Sequence, residues 1–178
     1  MRMSENTLND FRHIPRKRFG QHWLKDQSVL DKIVKSAELN SEDCVLEIGP
    51  GKGALTEKLI ESQARFIQAI ELDRDLVEGL EKRFGHQKKF SLREGDVLSA
   101  PLGAENGLTL NKVVANIPYN ITGPLLKRLI GELRKAPENS FETLVLLMQK
   151  EVAQRLVALP GTSSFSALSV RIQLLAKC

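Results

Sequence analysis

Residues 45–54, Val-Leu-Glu-Ile-Gly-Pro-Gly-Lys-Gly-Ala, decide the fold of this chain. An apolar run leads into closely spaced glycines, and a segment with apolar residues at helical spacing follows. Glycine permits the tight turn and the close approach of backbone to a ligand that such a junction needs. The stretch therefore predicts a buried strand, a glycine loop and the start of a helix, whose first N–H groups have no partner within the helix.

The same strand-and-helix unit recurs along the chain. Four apolar segments each end in a polar side chain, and the steps between those polar residues are 24, 25 and 20 positions. The four polar residues are Glu47, Glu71, Asp96 and Asn116. Helical spacing occupies the intervening stretches 54–62, 74–84 and 125–133, a first helix is expected after an N-cap at Asp26, and a fifth strand is expected at 144–148.

Alternating strands and helices predict an α/β fold, Rossmann-like, with a mostly parallel sheet and helices on both faces. In such sheets ligands bind beyond the carboxyl ends of the strands. The four polar strand ends are therefore expected to line a single crevice.

Composition limits the classes of protein that fit. The chain has 178 residues, 42% of them hydrophobic and 27% charged, as in one globular domain. Its two cysteines, Cys44 and Cys178, indicate neither a disulfide framework nor a metal site, and Cys44 is expected to be buried. The sequence contains no secretory signal and no apolar run of the ~20 residues needed to span a membrane, so a cytoplasmic location is expected.

The net charge of +4 is concentrated at the N-terminus. Residues 1–25 carry six basic and two acidic side chains, whereas the remaining residues carry 20 of each sign. A basic arm suits phosphate contacts, although a solvated tail explains the charge equally well. We divide the chain into this arm, 1–25, and a core, 26–178.

The glycine loop by itself leaves two ligands open. Gly49 and Gly51 with Ala54 match a dinucleotide fingerprint, and Glu71 lies about 20 residues on, where an acid can hold ribose hydroxyls. Both NAD and S-adenosylmethionine carry such a ribose. Glu47 favours S-adenosylmethionine, because an anion there suits an ammonium and a sulfonium but repels a pyrophosphate.

Asp96 favours the same ligand, because its carboxylate could accept a hydrogen bond from an adenine amino group. A helix cap or a solvated loop residue remains the alternative interpretation of Asp96 and of Glu71. A nucleotide-phosphate loop of the Walker type is excluded, since Lys52 is followed by Gly53 rather than by Ser or Thr.

Asn116-Ile117-Pro118-Tyr119 follows the fourth predicted strand. An amide oxygen and a proline carbonyl can accept hydrogen bonds from an exocyclic amine, and an aromatic ring can stack on a base. The alternative is an ordinary turn, in which Asn and Pro are common.

Four ordered motifs together resemble the ribosomal RNA adenine dimethyltransferases. They are KRFGQHWL at 17–24, LEIGPGKGALT at 46–56, NIPYNI at 116–121 and MQKEVA at 148–153. The resemblance covers about residues 16–175. Within the family the chain is most similar to the enzymes of the small ribosomal subunit, and the erythromycin-resistance methylases of the large subunit come second.

The resemblance implies transfer of methyl groups from S-adenosylmethionine, without a metal, to N6 of two adjacent adenosines in a hairpin near the 3′ end of 16S rRNA. The implied substrate is an assembling 30S subunit, and the implied state is a monomer. The implied catalytic residues are Asn116, Pro118 and Tyr119. The implied cofactor-binding residues are Gln21, His22, Leu24, Glu47, Gly49, Gly51, Glu71, Asp96 and Asn116.

The chain departs from the family pattern at two places. The family usually has Gln-Asn-Phe-Leu where this chain has residues 21–24 as Gln-His-Trp-Leu, so the detail of that contact differs. Family members continue with a last strand, a Phe-x-Pro motif that supplies a second stacking face, and a helical RNA-binding domain, so we expect a methyltransferase core truncated before them.

Further basic residues are candidates for phosphate contacts: Arg16-Lys17-Arg18, Lys127-Arg128 and Arg134-Lys135. The two later pairs could equally lie on solvated helix faces. Two other classes remain open as well, a nicotinamide-dependent oxidoreductase using the same glycine loop and a non-catalytic protein that binds RNA or assists assembly.

Overall fold

A five-stranded parallel sheet forms the centre of the molecule. The computed structural model describes residues 24–103, 107–132, 134–137 and 139–178. The strands are β1 (Cys44–Ile48), β2 (Phe66–Glu71), β3 (Phe90–Glu94), β4 (Lys112–Asn116) and β5 (Thr143–Leu147). They lie in the order β3-β2-β1-β4-β5, and every neighbouring pair is parallel. The predicted Rossmann-like α/β fold is confirmed.

Six α-helices accompany these strands in the described residues. They are α1 (Gln27–Ser36), α2 (Ala54–Glu61), α3 (Arg74–Phe84), α4 (Thr122–Ile130), α5 (Lys150–Leu156) and α6 (Ala167–Leu175). Asp26 caps α1 as predicted, because its carboxylate accepts hydrogen bonds from the N–H groups of Ser28 and Val29. Helices α5 and α6 were not predicted from the sequence.

The prediction of a helix over 125–133 was wrong at both ends. Helix α4 already begins at Thr122, because Pro124 lies in the first turn, where the missing N–H has no partner to lose. It ends at Ile130, because Gly131 adopts φ +88°. A Cβ at Gly131 would stand 2.8 Å from Pro137 Cδ, so the close return of the chain requires glycine here.

Side chains alternate between the two faces of the sheet, and each face has its own core. Val45, Ile67 and Val114 pack on one face with α1, α2 and α3. Leu46 and Val113 pack on the other face with α4. Because the central strands β1, β2 and β4 are covered on both sides, they appear in the sequence as mainly apolar runs, whereas edge strand β3 alternates apolar and polar residues. Cys44 belongs to the second core and is buried, as expected.

Lys112 ties the amino-terminal edge of the sheet to α1. Its Nζ donates to the carbonyl oxygens of Ala37 and Glu38, both at 3.0 Å, and pairs with Asp43 Oδ2 at 3.0 Å. These carbonyls lie just beyond α1, where backbone acceptors lack helical partners. A cation on β4 thus fixes the end of α1 against the sheet.

The connections reverse direction between β1 and β4. From β1 the chain proceeds outward to β2 and β3, and from β4 it proceeds outward to β5 on the other side. Ile48 pairs with Ala115, so the glycine loop after β1 and the Asn116 segment after β4 leave the sheet side by side. A crevice opens at such a reversal point, and ligands bind there in open α/β sheets.

Candidate functional site

A cleft of about 380 Å³ opens at this reversal point. It is lined by residues that follow β1, β2, β3 and β4, which are the four polar strand ends and their loops. Of the predicted site residues, those lining it are Leu24, Glu47, Gly49, Gly51, Glu71, Asp96, Asn116 and Pro118. The structure thus brings together eight residues that lie far apart in the sequence. Gln21 and His22 lie outside the described residues.

The glycine loop is held to the sheet at its start and to α3 at its end. The N–H of Gly49 donates to the carbonyl of Ile70 at 2.9 Å, which extends the β1–β2 ladder by one bond. Gly53 has φ +80°, and a Cβ there would lie 2.5 Å from Phe84 Cε2. Any side chain at Gly53 would therefore push α3 away from the loop.

Glu47 is fully buried beside the cleft. Both of its carboxyl oxygens lack a hydrogen-bond partner among the described residues. Burial raises the pKa of Glu47 to about 8, and the charge of Glu71 adds to the rise. The sequence suggested an anion at this position, whereas the buried carboxyl holds its proton at pH 7 unless a cation stabilises the charged form.

Glu71 lies at the end of β2 with its carboxylate fixed by the backbone. Its Oε1 accepts from the N–H of Asp73 at 2.9 Å, and its Oε2 accepts from the N–H of Gly51 at 3.0 Å. Burial raises the pKa of Glu71, and these two hydrogen bonds act against the rise. The carboxylate consequently links the glycine loop to the start of α3.

Asp96 is exposed and shapes the turn after β3. Its Oδ1 accepts from the N–H of Leu98 at 2.9 Å, and its carbonyl accepts from the N–H groups of Ser99 and Ala100. The alternative interpretation of Asp96 as a solvated loop residue therefore agrees with its exposure and its contact within the turn. The residue also borders the cleft, so both roles are compatible.

The Asn116 segment bends from β4 into α4. The N–H of Ile117 donates to the carbonyl of Leu147 on β5 at 3.0 Å, which holds the segment to the sheet. The carbonyl of Pro118 accepts from the N–H of Ile121 at 3.2 Å, so one of its two lone pairs is engaged in a turn. Asn116 and Pro118 line the cleft, whereas Tyr119 lies outside its lining and is 43% exposed.

The sequence reading missed several residues that form the walls of the cleft. Apolar walls come from Ile48, Leu72, Val97, Leu98 and Ile117, and Asn120 adds a polar group. Each of them lies within two positions of a predicted site residue. Proximity to a strand end was therefore the sequence signal that could have identified these wall residues. Only the path of the chain beyond each strand shows which of the neighbouring residues line the cleft.

Two basic residues that were candidates for phosphate contacts have partners within the fold. Arg128 donates from its two terminal nitrogens to the carbonyls of Val97 at 2.7 Å and Ala100 at 2.6 Å. Lys127 pairs with Glu132 at 3.0 Å on the surface. Arg128 thus belongs to the packing around the turn that contains Asp96, while Lys127 keeps a solvent-facing ammonium.

The described residues contain neither a membrane-spanning helix nor a cluster of metal ligands. No helix there is both long enough and apolar enough to cross a membrane. No group of three or more His, Cys, Asp or Glu side chains in the same residues is arranged to hold a metal ion.

The sheet order and the cleft define a Rossmann-like α/β domain, and two solved methyltransferase structures share this fold. The structural match to a dimethyladenosine transferase from Plasmodium falciparum covers 86% of this chain and 52% of that protein's chain, with a TM-score of 0.73 and 34% identity. The 23S rRNA methyltransferase ErmE matches 75% of this chain and 50% of its own, with a TM-score of 0.64 and 29% identity.

Sequence comparisons are more specific. The family model for ribosomal RNA adenine dimethylase matches residues 12–178. A ribosomal RNA small subunit methyltransferase A of Prochlorococcus marinus strain NATL2A is 90% identical over 174 residues, and one of Synechococcus sp. strain CC9902 is 67% identical over 166. The chain belongs to the ribosomal RNA adenine dimethylase family. It spans about 60% of the length of these relatives.

Proposed function

We propose that this chain is the catalytic core of an S-adenosylmethionine-dependent methyltransferase that dimethylates N6 of adenosines in small-subunit ribosomal RNA. The observation that carries the proposal is the cleft itself. Asn116 and Pro118, the acceptors suited to an exocyclic amine, line the same cleft as Glu47, Glu71 and Asp96. The small-subunit names of relatives up to 90% identical favour that RNA over the large-subunit substrate named for the 29% identical ErmE.

The residues of the cleft fit this methyl donor. Its volume of about 380 Å³ lies within the ~300–1,000 Å³ of small-molecule sites. Glu47 offers a buried carboxyl whose oxygens have no partner in the described part of the chain, which suits the ammonium end of the ligand. Glu71 would hold the ribose hydroxyls, and Asp96 would accept from the adenine amine between the walls of Val97 and Leu98.

We assign the other predicted contacts in the same way. Gly49 and Gly51 would let the backbone approach the ligand, and Leu24 would cover it from the N-terminal side, where Gln21 and His22 are proposed to add polar contacts. We also propose that residues 1–25 act as a basic arm and 26–178 as the catalytic core. The location would be the cytoplasm, the partner an assembling 30S subunit, and the enzyme a monomer without a metal.

S-adenosylmethionine, when bound, supplies an electrophilic methyl group on a sulfonium. The work left to the protein is to position the adenine N6, whose lone pair is delocalised into the ring. Asn116 Oδ1 and the second lone pair of the Pro118 carbonyl would accept the two N6 hydrogens. Those hydrogen bonds favour a pyramidal nitrogen and stabilise the positive charge that develops on it.

Tyr119 would stack on the target base from outside the cleft. Tyr119 is 43% exposed at the surface beside the cleft, where a base that has left its RNA helix would arrive. Such stacking contributes roughly 1–3 kcal/mol per base, comparable with the cost of extruding the base. The proton lost from N6 becomes acidic only after the methyl group is transferred, so the cleft needs no strong base.

Two measurements test the proposal. Calorimetry should detect binding of S-adenosylhomocysteine and no binding of NAD at the same concentration, while binding of NAD alone would support the oxidoreductase alternative. In a methyl-transfer assay on unmethylated small subunits, Asn116→Ala should lower the rate at least about 100-fold. The affinity of that variant for S-adenosylhomocysteine should stay within about threefold, and a rate near that of the unchanged chain would refute the role of Asn116.

A further inference from the structure

Beside the cleft, a pair of hydrogen bonds joins helix α4 to the turn after β3. Arg128 is half-buried, and its two terminal nitrogens donate to two different carbonyls, those of Val97 and Ala100. Distances of 2.7 and 2.6 Å are those of charge-assisted hydrogen bonds. The planar guanidinium suits this paired geometry, which an ammonium cannot reproduce.

The turn that Arg128 contacts is closed by hydrogen bonds to Asp96. The N–H groups of Leu98, Ser99 and Ala100 all point inward to acceptors on Asp96. The carbonyls of Val97 and Ala100 in the same turn accept from Arg128. Arg93 holds the other end of the same loop through the carbonyl of Pro101.

The same turn forms one wall of the cleft. Asp96, Val97 and Leu98 line it, and α4 follows directly on the segment that contains Asn116 and Pro118. Arg128 consequently joins α4 to the turn that is proposed to hold the cofactor's adenine. Helix α4 in turn follows the segment that is proposed to hold the target base. The sequence predicted Arg128 for phosphate contacts or for a solvated helix face, and it did not predict this contact.

We propose that Arg128 is a positioning residue that fixes the Asp96 turn, and thereby gives the cleft its selectivity for a ligand with an adenine amino group. The proposal rests on the proposed methyltransferase function. Without the guanidinium, two carbonyls lose their donor and the turn loses its attachment to α4. The Asp96 carboxylate would then no longer be held at one distance from the amine.

The test compares two probes that differ only at the amine, S-adenosylhomocysteine and its analogue that carries unsubstituted purine in place of adenine. The unchanged chain should bind the amine-bearing probe about tenfold more tightly, the ratio expected for one hydrogen bond to a charged acceptor. Arg128→Met should reduce that ratio to about threefold or less. Lys127→Met is the matched control, because Lys127 lies next to Arg128 on α4 and pairs with Glu132 on the surface, and it should keep the full ratio.

The ratio separates positioning from a general effect on stability, which would weaken both probes alike. If Arg128→Met does not fold by circular dichroism, Arg128→Lys decides, since its ammonium keeps the charge but lacks the planar fork of two nitrogens and should give an intermediate ratio. An unchanged ratio in the folded variant overturns the proposal, as does an unchanged chain that binds both probes equally. If the unchanged chain binds neither probe, the proposed function itself fails.

Discussion

At the scale of single residues, Glu47 determines how the unliganded protein responds to pH. Its carboxyl is fully buried, and its oxygens find no partner among the described residues. Burial raises the pKa of Glu47 to about 8 from an ordinary value of 4.5. Between these two pH values the folded chain keeps a proton that the unfolded chain has lost, so the free energy of unfolding falls as pH rises.

We predict that Glu47→Gln removes this dependence. Between pH 5 and 8 the unchanged chain should lose up to about 1.4 kcal/mol of stability per pH unit relative to the variant. Urea unfolding at a series of pH values measures the difference. Because Glu71 titrates in the same direction in both proteins, it cancels in the comparison. Parallel pH profiles of the two proteins would show that Glu47 is not buried as a neutral acid.

At the scale of secondary-structure elements, Lys112 on β4 fixes the end of α1. Its side chain is 10% exposed, and that of its partner Asp43 is 3% exposed. Removing one member of a buried pair leaves the other charge without compensation, which costs more than the pair contributed. The carbonyls of Ala37 and Glu38 lose their donor at the same time.

Lys112→Met should therefore lower the free energy of unfolding by about 3 kcal/mol, as measured by urea denaturation. Lys58→Met is the control, since Lys58 pairs with Asp31 at 2.9 Å but with side-chain exposures of 29% and 61%. Its loss should stay below about 1 kcal/mol, because solvent screens such a pair. An equal decrease in the free energy of unfolding of the two variants would contradict the conclusion that Lys112 forms a stabilising buried ion pair.

At the scale of the whole molecule, the cleft couples the ends of four strands. A ligand that binds only the folded chain stabilises all of it by mass action, by about 2.7 kcal/mol at 100 times its Kd. For a domain of this size we predict that S-adenosylhomocysteine at that concentration raises Tm by roughly 5–10 °C. Differential scanning fluorimetry measures the shift.

Glu71→Gln provides the comparison for that measurement. It keeps the size of the side chain but loses the charge proposed to hold the ribose hydroxyls, so its shift at the same ligand concentration should be smaller. Both proteins are compared with their own unliganded Tm, which removes the effect of the substitution on the fold. An equal shift over the whole concentration series would argue against the ribose role.

Much of the molecule was predictable from the sequence because its signals are local. Apolar runs predicted the central strands β1, β2 and β4 within two residues, because a strand buried on both faces has few polar residues. Edge strand β3 is partly exposed and has alternating apolar and polar residues. Helix α4 was misplaced, because Gly123 and Pro124 usually interrupt a helix but are tolerated in its first turn. No prediction was made for α5 and α6, whose packing partner is Leu126 on α4, distant in the sequence.

The sequence by itself determined the α/β class, the glycine loop and the polar residue at each strand end, because strand and helix periodicity and glycine's freedom are properties of short segments. The tertiary structure alone decided that Glu47 is fully buried, that Tyr119 is absent from the lining of the cleft and that Arg128 donates to the carbonyls of the Asp96 turn. Burial, charge state and partner choice depend on what the fold brings from elsewhere in the chain, and no local pattern encodes that.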